Sequence, residues 1–179
     1  MKGKTRHPTV PKPGRQIRGK FTLRRPKSRK EEAEFGPGKI DYIICPQCGC
    51  VYFDKSWHHS LEQDFKRLKE TKNIQFRICP ACQMIKDKKY EGEITLEAVP
   101  KEFEEDIKNL AKNYGKRAIE ADPMDRIIKI TQEKEKIRIL TTENQLAVRI
   151  AKKIKQSFGG EIKISYSHQE DTVRIKVRF

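Results

Sequence analysis

The pattern of apolar and polar residues predicts regular alternation of strands and helices after about residue 91. Apolar residues at every second position indicate strands, and apolar residues three and four apart indicate helices. One helix is predicted over 101–118, and a second follows a capping box at Thr142–Gln145 and ends at Gly159-Gly160. Strands are predicted at 93–99, 126–131, 137–141, 162–166 and 173–179. This β-α-β-β-α-β-β order over 92–179 is typical of an α/β plait, with two helices on one face of an antiparallel sheet.

Before residue 91 the chain is organised around two Cys-x-x-Cys pairs, each of which follows a short apolar run. Two such pairs supply the four thiolates of a closed tetrahedral zinc site. We therefore predict a zinc ribbon over 39–91 with one structural zinc ion, bound by Cys45, Cys48, Cys79 and Cys82. The fold class is then α+β.

The two pairs are separated by 30 residues, more than the roughly 15–20 typical of a ribbon. We predict that an inserted helix fills the difference, with an apolar stripe from Trp57 to Leu68. Cys50 is interpreted as a small packed or free thiol. His58 and His59 would lie on the inserted helix in structural or solvent-exposed positions.

Composition limits the class of protein. Apolar residues make up 35% of the chain and charged residues 36%, so the core must be small. Five cysteines without a secretory signal favour metal binding over disulfides. The same observation favours a cytoplasmic location. We find neither an apolar run of membrane-spanning length nor a constellation typical of an enzyme or of a small-molecule site. A redox role for one Cys-x-x-Cys pair is the less favoured alternative, because two matched pairs follow β-like runs.

Positive charge is concentrated at the N-terminus. The net charge is +15, of which +12 lies in residues 1–30, a segment without acidic residues. Its prolines and glycines predict a disordered, extended arm over 1–38 that binds nucleic acid through phosphates. The alternative is a terminus that only aids solubility. The arm cations are Lys2, Lys4, Arg6, Lys12, Arg15, Arg18, Lys20, Arg24, Arg25, Lys27, Arg29 and Lys30.

The plait carries two further sets of polar and basic residues. If its apolar positions face the helices, the open face of the sheet presents Arg138, Lys163, Arg174, Lys176 and Arg178. Lacking an outward aromatic residue, this face favours backbone recognition of RNA over base stacking. The second predicted helix carries a basic stripe between Arg149 and Gln156, which fits either phosphate contact or an ordinary solvated face.

Two segments resemble the export adaptor of the large ribosomal subunit, an archaeal and eukaryotic family first named for nonsense-mediated mRNA decay. They are the second cysteine pair with the strand after it, 79–98, and the strand-helix-strand element at 139–161. The first pair, Cys-Pro-Gln-Cys-Gly-Cys-Val-Tyr at 45–52 with Trp57 after it, is similar to short prokaryotic relatives of that family. The resemblance covers roughly 42–179 and leaves the arm outside it.

This resemblance implies ribosome binding, without the export function, because the chain has two cysteine pairs where the adaptor has several more. We therefore expect a cytoplasmic, non-enzymatic zinc protein that binds rRNA on the ribosome, with the large subunit as its partner. It would act in assembly, dormancy or quality control. The alternative function is a zinc-ribbon DNA-binding transcriptional regulator.

Overall fold

The computed structural model describes residues 42–53, 55–59, 74–167 and 171–179. These residues belong to one compact unit. They form two small sheets and three helices, so the predicted mixed α+β class is confirmed. The basic arm lies outside the described residues, and the division into arm, ribbon and plait remains a prediction.

The first sheet has four short strands in the order β3-β2-β1-β4. They are β1 (Tyr42–Ile44), β2 (Val51–Phe53), β3 (Ser56–His58) and β4 (Ile74–Phe76). Neighbours pair antiparallel except β4, which lies parallel to β1. Strand β2 therefore returns alongside β1 directly after the first cysteine pair.

The placement of Trp57 on the predicted inserted helix is wrong. Trp57 lies in β3 opposite Tyr52, and the two rings are 5.5 Å apart. A tight hairpin turn with Lys55 at φ 69° brings β3 back onto β2 before a helix can begin. His58 lies in the same strand, and the remainder of the predicted apolar stripe falls outside the described residues.

A helix that was not predicted begins within the second cysteine pair. Helix α1 (Pro80–Asp87) has Cys79 as its N-cap and proline at its first position, where a missing N–H costs nothing. It ends at Lys88, which has φ 55°. The second pair is thus built on a helix start, whereas the first pair is built on a turn.

The second sheet contains five strands and is covered by two helices. Its strand order is β6-β7-β5-β9-β8. Strand β5 pairs parallel with β9 and all other neighbours pair antiparallel, so the expectation of an antiparallel sheet is wrong at this pair. The strands are β5 (Gly92–Glu97), β6 (Ile127–Glu133), β7 (Lys136–Thr141), β8 (Glu161–Tyr166) and β9 (Val173–Arg178). A 3₁₀ turn (Lys101–Phe103) leads into α2 (Glu104–Ala121), and α3 is Asn144–Phe158.

The main core lies between this sheet and its helices. Ile94, Ile139, Ile150 and Ile154 are completely buried there. Burying a side chain of this size contributes about 1.5–3 kcal/mol relative to exposure. This core is separate from a smaller one around the cysteines.

The predicted capping box at the start of α3 does not form. The N-cap is Glu143, whose side chain makes no capping bond. Thr142 is buried and instead donates from Oγ1 to the carbonyl of Met124 at 2.6 Å, while accepting from the N–H of Arg126 at 2.9 Å. It therefore holds the loop before β6. Gly159, with φ +85°, ends the helix as predicted.

Candidate metal centre

The turn after β1 places the first two thiols side by side. The N–H of Cys45 donates to the carbonyl of Cys50 at 2.8 Å, and that of Gly49 donates to the carbonyl of Cys45 at 2.9 Å. Gly49 adopts φ +75°, a left-handed conformation that glycine accepts without strain. The chain thereby reverses between Cys48 and β2.

The second pair is positioned by the first turn of α1. As the N-cap, Cys79 Sγ accepts a hydrogen bond from the N–H of Cys82 at 3.4 Å. The N–H of Cys79 in turn donates to Cys45 Sγ at 3.3 Å, across 34 residues of sequence. Hydrogen bonds of this kind stabilise sulfur in its thiolate form.

The four predicted ligands come together. The sulfur atoms of Cys45, Cys48, Cys79 and Cys82 all lie within 4.8 Å of one another. Those of Cys48 and Cys79 are 3.6 Å apart, against about 3.8 Å for the edge of a tetrahedron with Zn–S bonds of about 2.3 Å. Cys45 and Cys79 are fully buried. The cluster can hold one metal ion with four sulfur ligands.

A cationic side chain from the loop before β6 reaches this cluster. Nη1 of Arg126 lies 3.3 Å from Cys82 Sγ, and Nη2 lies 3.7 Å from Cys50 Sγ. Nε donates to the carbonyl of Pro123 at 2.8 Å, which fixes the guanidinium. Since four thiolates around a divalent ion carry a net charge of −2, a fixed arginine offsets part of that charge.

The loop between α2 and β6 therefore joins the two sheets at the metal centre. Met124 packs against the cysteines beside Trp57. The imidazole of His59 makes a second link, because its Nε2 donates to the carbonyl of Ile119 in α2. Arg126 was not predicted to lie near the cysteines, because an arginine at the start of a predicted strand resembles any solvated residue.

The thiols differ in how readily they ionise. Burial raises the pKa of Cys79 and Cys82. Burial also raises the pKa of Cys48, but hydrogen bonds, first from Arg126 and then from the Cys50 backbone, outweigh it and lower this pKa to about 6. Cys50, the fifth thiol, is only 3% exposed, and burial beside Cys48 raises its pKa to about 12.

We expect Arg126→Gln to weaken metal binding by about 10- to 100-fold, the usual effect of losing a partner of a metal ligand. The glutamine keeps a polar side chain but removes the positive charge beside Cys82 and Cys50. Competition with a chromophoric chelator measures the change. Arg138→Gln is the matched control, since Arg138 pairs with Glu93 on the sheet. Equal metal affinity of the Arg126 variant and the wild type would contradict a role for Arg126 at the centre.

A group of carboxylates lies close to the same loop. The pKa of Glu143 is raised from its ordinary 4.5 to about 7, first by burial and then by the charges of Glu91, Asp125 and Asp122. Arg149 opposes this shift in part, and it also forms an ion pair with Asp125. Glu143 is therefore protonated in the folded chain at pH values where it ionises in the unfolded chain.

The shift of Glu143 predicts a pH-dependent stability. Between pH 4.5 and about 7 the unfolded chain binds fewer protons than the folded chain, so the free energy of unfolding falls as pH rises. Glu143→Gln is neutral in both states and should become more stable than the wild type across this window. At pH 8 we expect the free energy of unfolding of the variant to exceed that of the wild type by on the order of 1 kcal/mol, a figure discounted for solvent screening. Denaturant unfolding of both metal-loaded proteins at pH 6 and pH 8 measures it, and a constant difference would contradict the prediction.

The five predicted sheet cations lie on the open face. Arg138 contacts Glu93 at 2.5 Å, and Arg174 contacts the other oxygen of Glu93 at 3.6 Å. Lys163 and Lys176 stand directly opposite each other on β8 and β9. Opposed like charges destabilise a sheet. In the described part of the chain, neither lysine forms an ion pair.

Arg178, the fifth of these cations, lies opposite Glu97 on β5 and Glu161 on β8. On the open face Glu93, Glu97 and Glu161 thus accompany the arginines, and the positive charge of Lys176 also acts on Glu97. The twelve cations of the arm lie outside the described residues.

A scan against protein-family models finds no match to this chain, and a search of curated proteins finds none either. None of the helices in the described residues has the length and apolar character needed to cross a membrane.

Proposed function

We propose that this chain is a non-enzymatic zinc protein of the cytoplasm that binds ribosomal RNA on the ribosome, with the large subunit as its partner. In this proposal it serves assembly, dormancy or quality control. The metal holds the first sheet against the second, and the cations bind phosphate.

Zinc is the metal that best fits the donor set. Four cysteine sulfurs in a closed arrangement favour zinc over metals that prefer oxygen ligands. Backbone N–H groups and Arg126 stabilise the thiolates. Since all four positions would be filled by protein, the ion would be structural rather than catalytic.

The observation that carries the RNA proposal is the uncompensated positive charge of the N-terminal arm. Residues 1–30 hold twelve Lys and Arg residues and no Asp or Glu. Such a segment gains little from packing but gains affinity for a polyanion by releasing counterions. Lys163 and Lys176, which form no ion pair with any residue that the structure describes, supply a second cationic area.

Support for the ribosome as the site of this RNA comes from the resemblance to the large-subunit export adaptor family. The resemblance rests on the two cysteine pairs and the strand-helix-strand element at 139–161. Nucleic-acid binding follows from charge alone, whereas the choice of the large subunit follows from this resemblance.

Binding of the zinc-loaded chain to an rRNA stem-loop, followed by fluorescence anisotropy, tests the proposal. A DNA duplex with the sequence of the stem is the matched competitor. We expect tighter binding to the RNA and a steep fall of affinity with salt. Tighter binding to the DNA would favour the transcriptional regulator instead, and no binding to either would exclude both.

A further inference from the structure

A surface groove lies between α2 and α3. One part, of about 420 Å³, is lined by Tyr114 of α2 and by Arg149, Lys152, Lys153 and Gln156 of α3. A second part, of about 280 Å³, shares Tyr114 and Arg149. It continues between Arg117, Ala118, Ala121 and Asp125.

The helical repeat explains why these side chains meet. Tyr114, Arg117, Ala118 and Ala121 are spaced three and four residues apart, so they lie along one face of α2. The small side chains of Ala118 and Ala121 leave room beside the tyrosine ring. The helix opposite, α3, has four cations and no acidic residue within its bounds.

The cations of the groove are largely available to a ligand. The one carboxylate in its lining, Asp125, is paired with Arg149. In the part of the chain that the structure describes, Arg117 and Lys152 form no ion pair, and Lys153 donates only to the neutral amide of Gln156 at 3.1 Å. Three positive charges therefore remain uncompensated.

The groove also contains an aromatic ring that is only partly buried in the core. Tyr114 is partly buried against the core and lines both parts of the groove. Within the described residues its hydroxyl forms no hydrogen bond. A partly exposed ring beside cations fits the way proteins hold unpaired nucleotides, by stacking a base and neutralising the phosphates next to it.

We infer that this groove binds single-stranded RNA, with a nucleobase stacked on Tyr114 and adjacent phosphates contacted by Arg117, Lys152 and Lys153. The inference rests on the proposed function and adds a second contact, independent of the arm. An acidic peptide would satisfy the cations but would leave the ring without a stacking partner, so RNA is the better fit.

The test measures binding of a labelled 12-nucleotide single-stranded RNA to the zinc-loaded full-length chain. For Lys152→Gln/Lys153→Gln we expect an affinity about tenfold lower than that of the wild type. The slope of log affinity against log salt should become shallower by about 1.4, since each single-strand phosphate contact contributes about 0.7. The control is Lys112→Gln/Lys116→Gln, which removes two charges from α2 about 200° around the helix from Tyr114. It should reduce affinity by less than twofold.

Stacking is tested separately at Tyr114. We expect Tyr114→Leu to lower affinity about tenfold and Tyr114→Phe to retain it, since base stacking requires the ring and not the hydroxyl. The phenylalanine variant also controls for folding. After irradiation, RNA that contains 4-thiouridine should be crosslinked to a peptide that contains Tyr114.

Each other outcome overturns the inference in an identifiable way. Wild-type binding that the groove variants do not change, or that both lysine pairs reduce equally, would exclude the groove while leaving the arm in place. Groove variants that lose binding to polyglutamate but not to RNA would assign the groove to an acidic protein. A wild-type chain that binds no RNA would exclude the proposed function together with the groove.

Discussion

Cys79→Ser is expected to abolish metal binding and to unfold the residues around the four sulfurs. Cys79 is fully buried, its sulfur is 3.6 Å from that of Cys48, and its side chain also caps α1. Serine caps a helix well, so this substitution retains the cap while removing a ligand. Loss of the metal should therefore account for the whole effect.

The expected loss is large because metal binding and folding are coupled. In isolated zinc-finger peptides a structural zinc ion contributes on the order of 10–16 kcal/mol. Hydrogen exchange should become fast over 42–53 and 74–87. It should stay slow in α3, because the second sheet and its helices have a separate core. Elemental analysis should fall from one zinc ion per chain to none.

Cys50→Ala is the matched control for this experiment. Cys50 is buried next to the cluster but lies outside the group of four sulfurs. This variant should keep one metal ion and the exchange pattern of the wild type. A Cys79→Ser protein that retained metal and slow exchange over 74–87 would contradict the structural role of the centre.

Replacing all twelve arm cations by glutamine is expected to reduce affinity for rRNA by three orders of magnitude or more at 0.1–0.2 M salt. If about half of these cations contact phosphate, the slope of log affinity against log salt should become shallower by about 4 to 5. The metal content should not change. Titration of the rRNA stem-loop at several salt concentrations measures both quantities.

The control for this variant is an arm of identical composition with its residues in shuffled order. If charge is the basis of binding, the shuffled arm should retain affinity within a few-fold. A glutamine arm that bound as tightly as the wild type would show that the arm is not the contact. Loss of affinity with the shuffled arm would mean that individual arginines recognise RNA geometry.

The elements that the sequence predicted well are those in which one local pattern determines the outcome. Strands β5 and β9 alternate strictly, and their apolar side chains are the ones buried against the helices. The cysteine pairs identified the four sulfurs that come together, because the Cys-x-x-Cys spacing itself brings two sulfurs within reach of one ion. These predictions needed no knowledge of the tertiary fold.

The errors come from contacts between distant segments. Trp57 and Leu61 fit a helical spacing, but pairing with Tyr52 placed Trp57 in a strand. Thr142 fits a capping box, but its hydroxyl is used by Met124 and Arg126. Arg126 itself acquires its role only when the loop meets the cysteines, a contact that no local pattern encodes.

Co-sedimentation with ribosomal subunits tests whether this chain binds the ribosome through RNA. Purified zinc-loaded chain is mixed with separated ribosomal subunits and centrifuged through sucrose gradients at about 50 mM and about 500 mM salt, a range over which phosphate contacts weaken steeply. We expect the chain to travel with the large subunit at low salt and to remain at the top of the gradient at high salt. A chain that stays at the top of the gradient at low salt, or that follows only the small subunit, would contradict it.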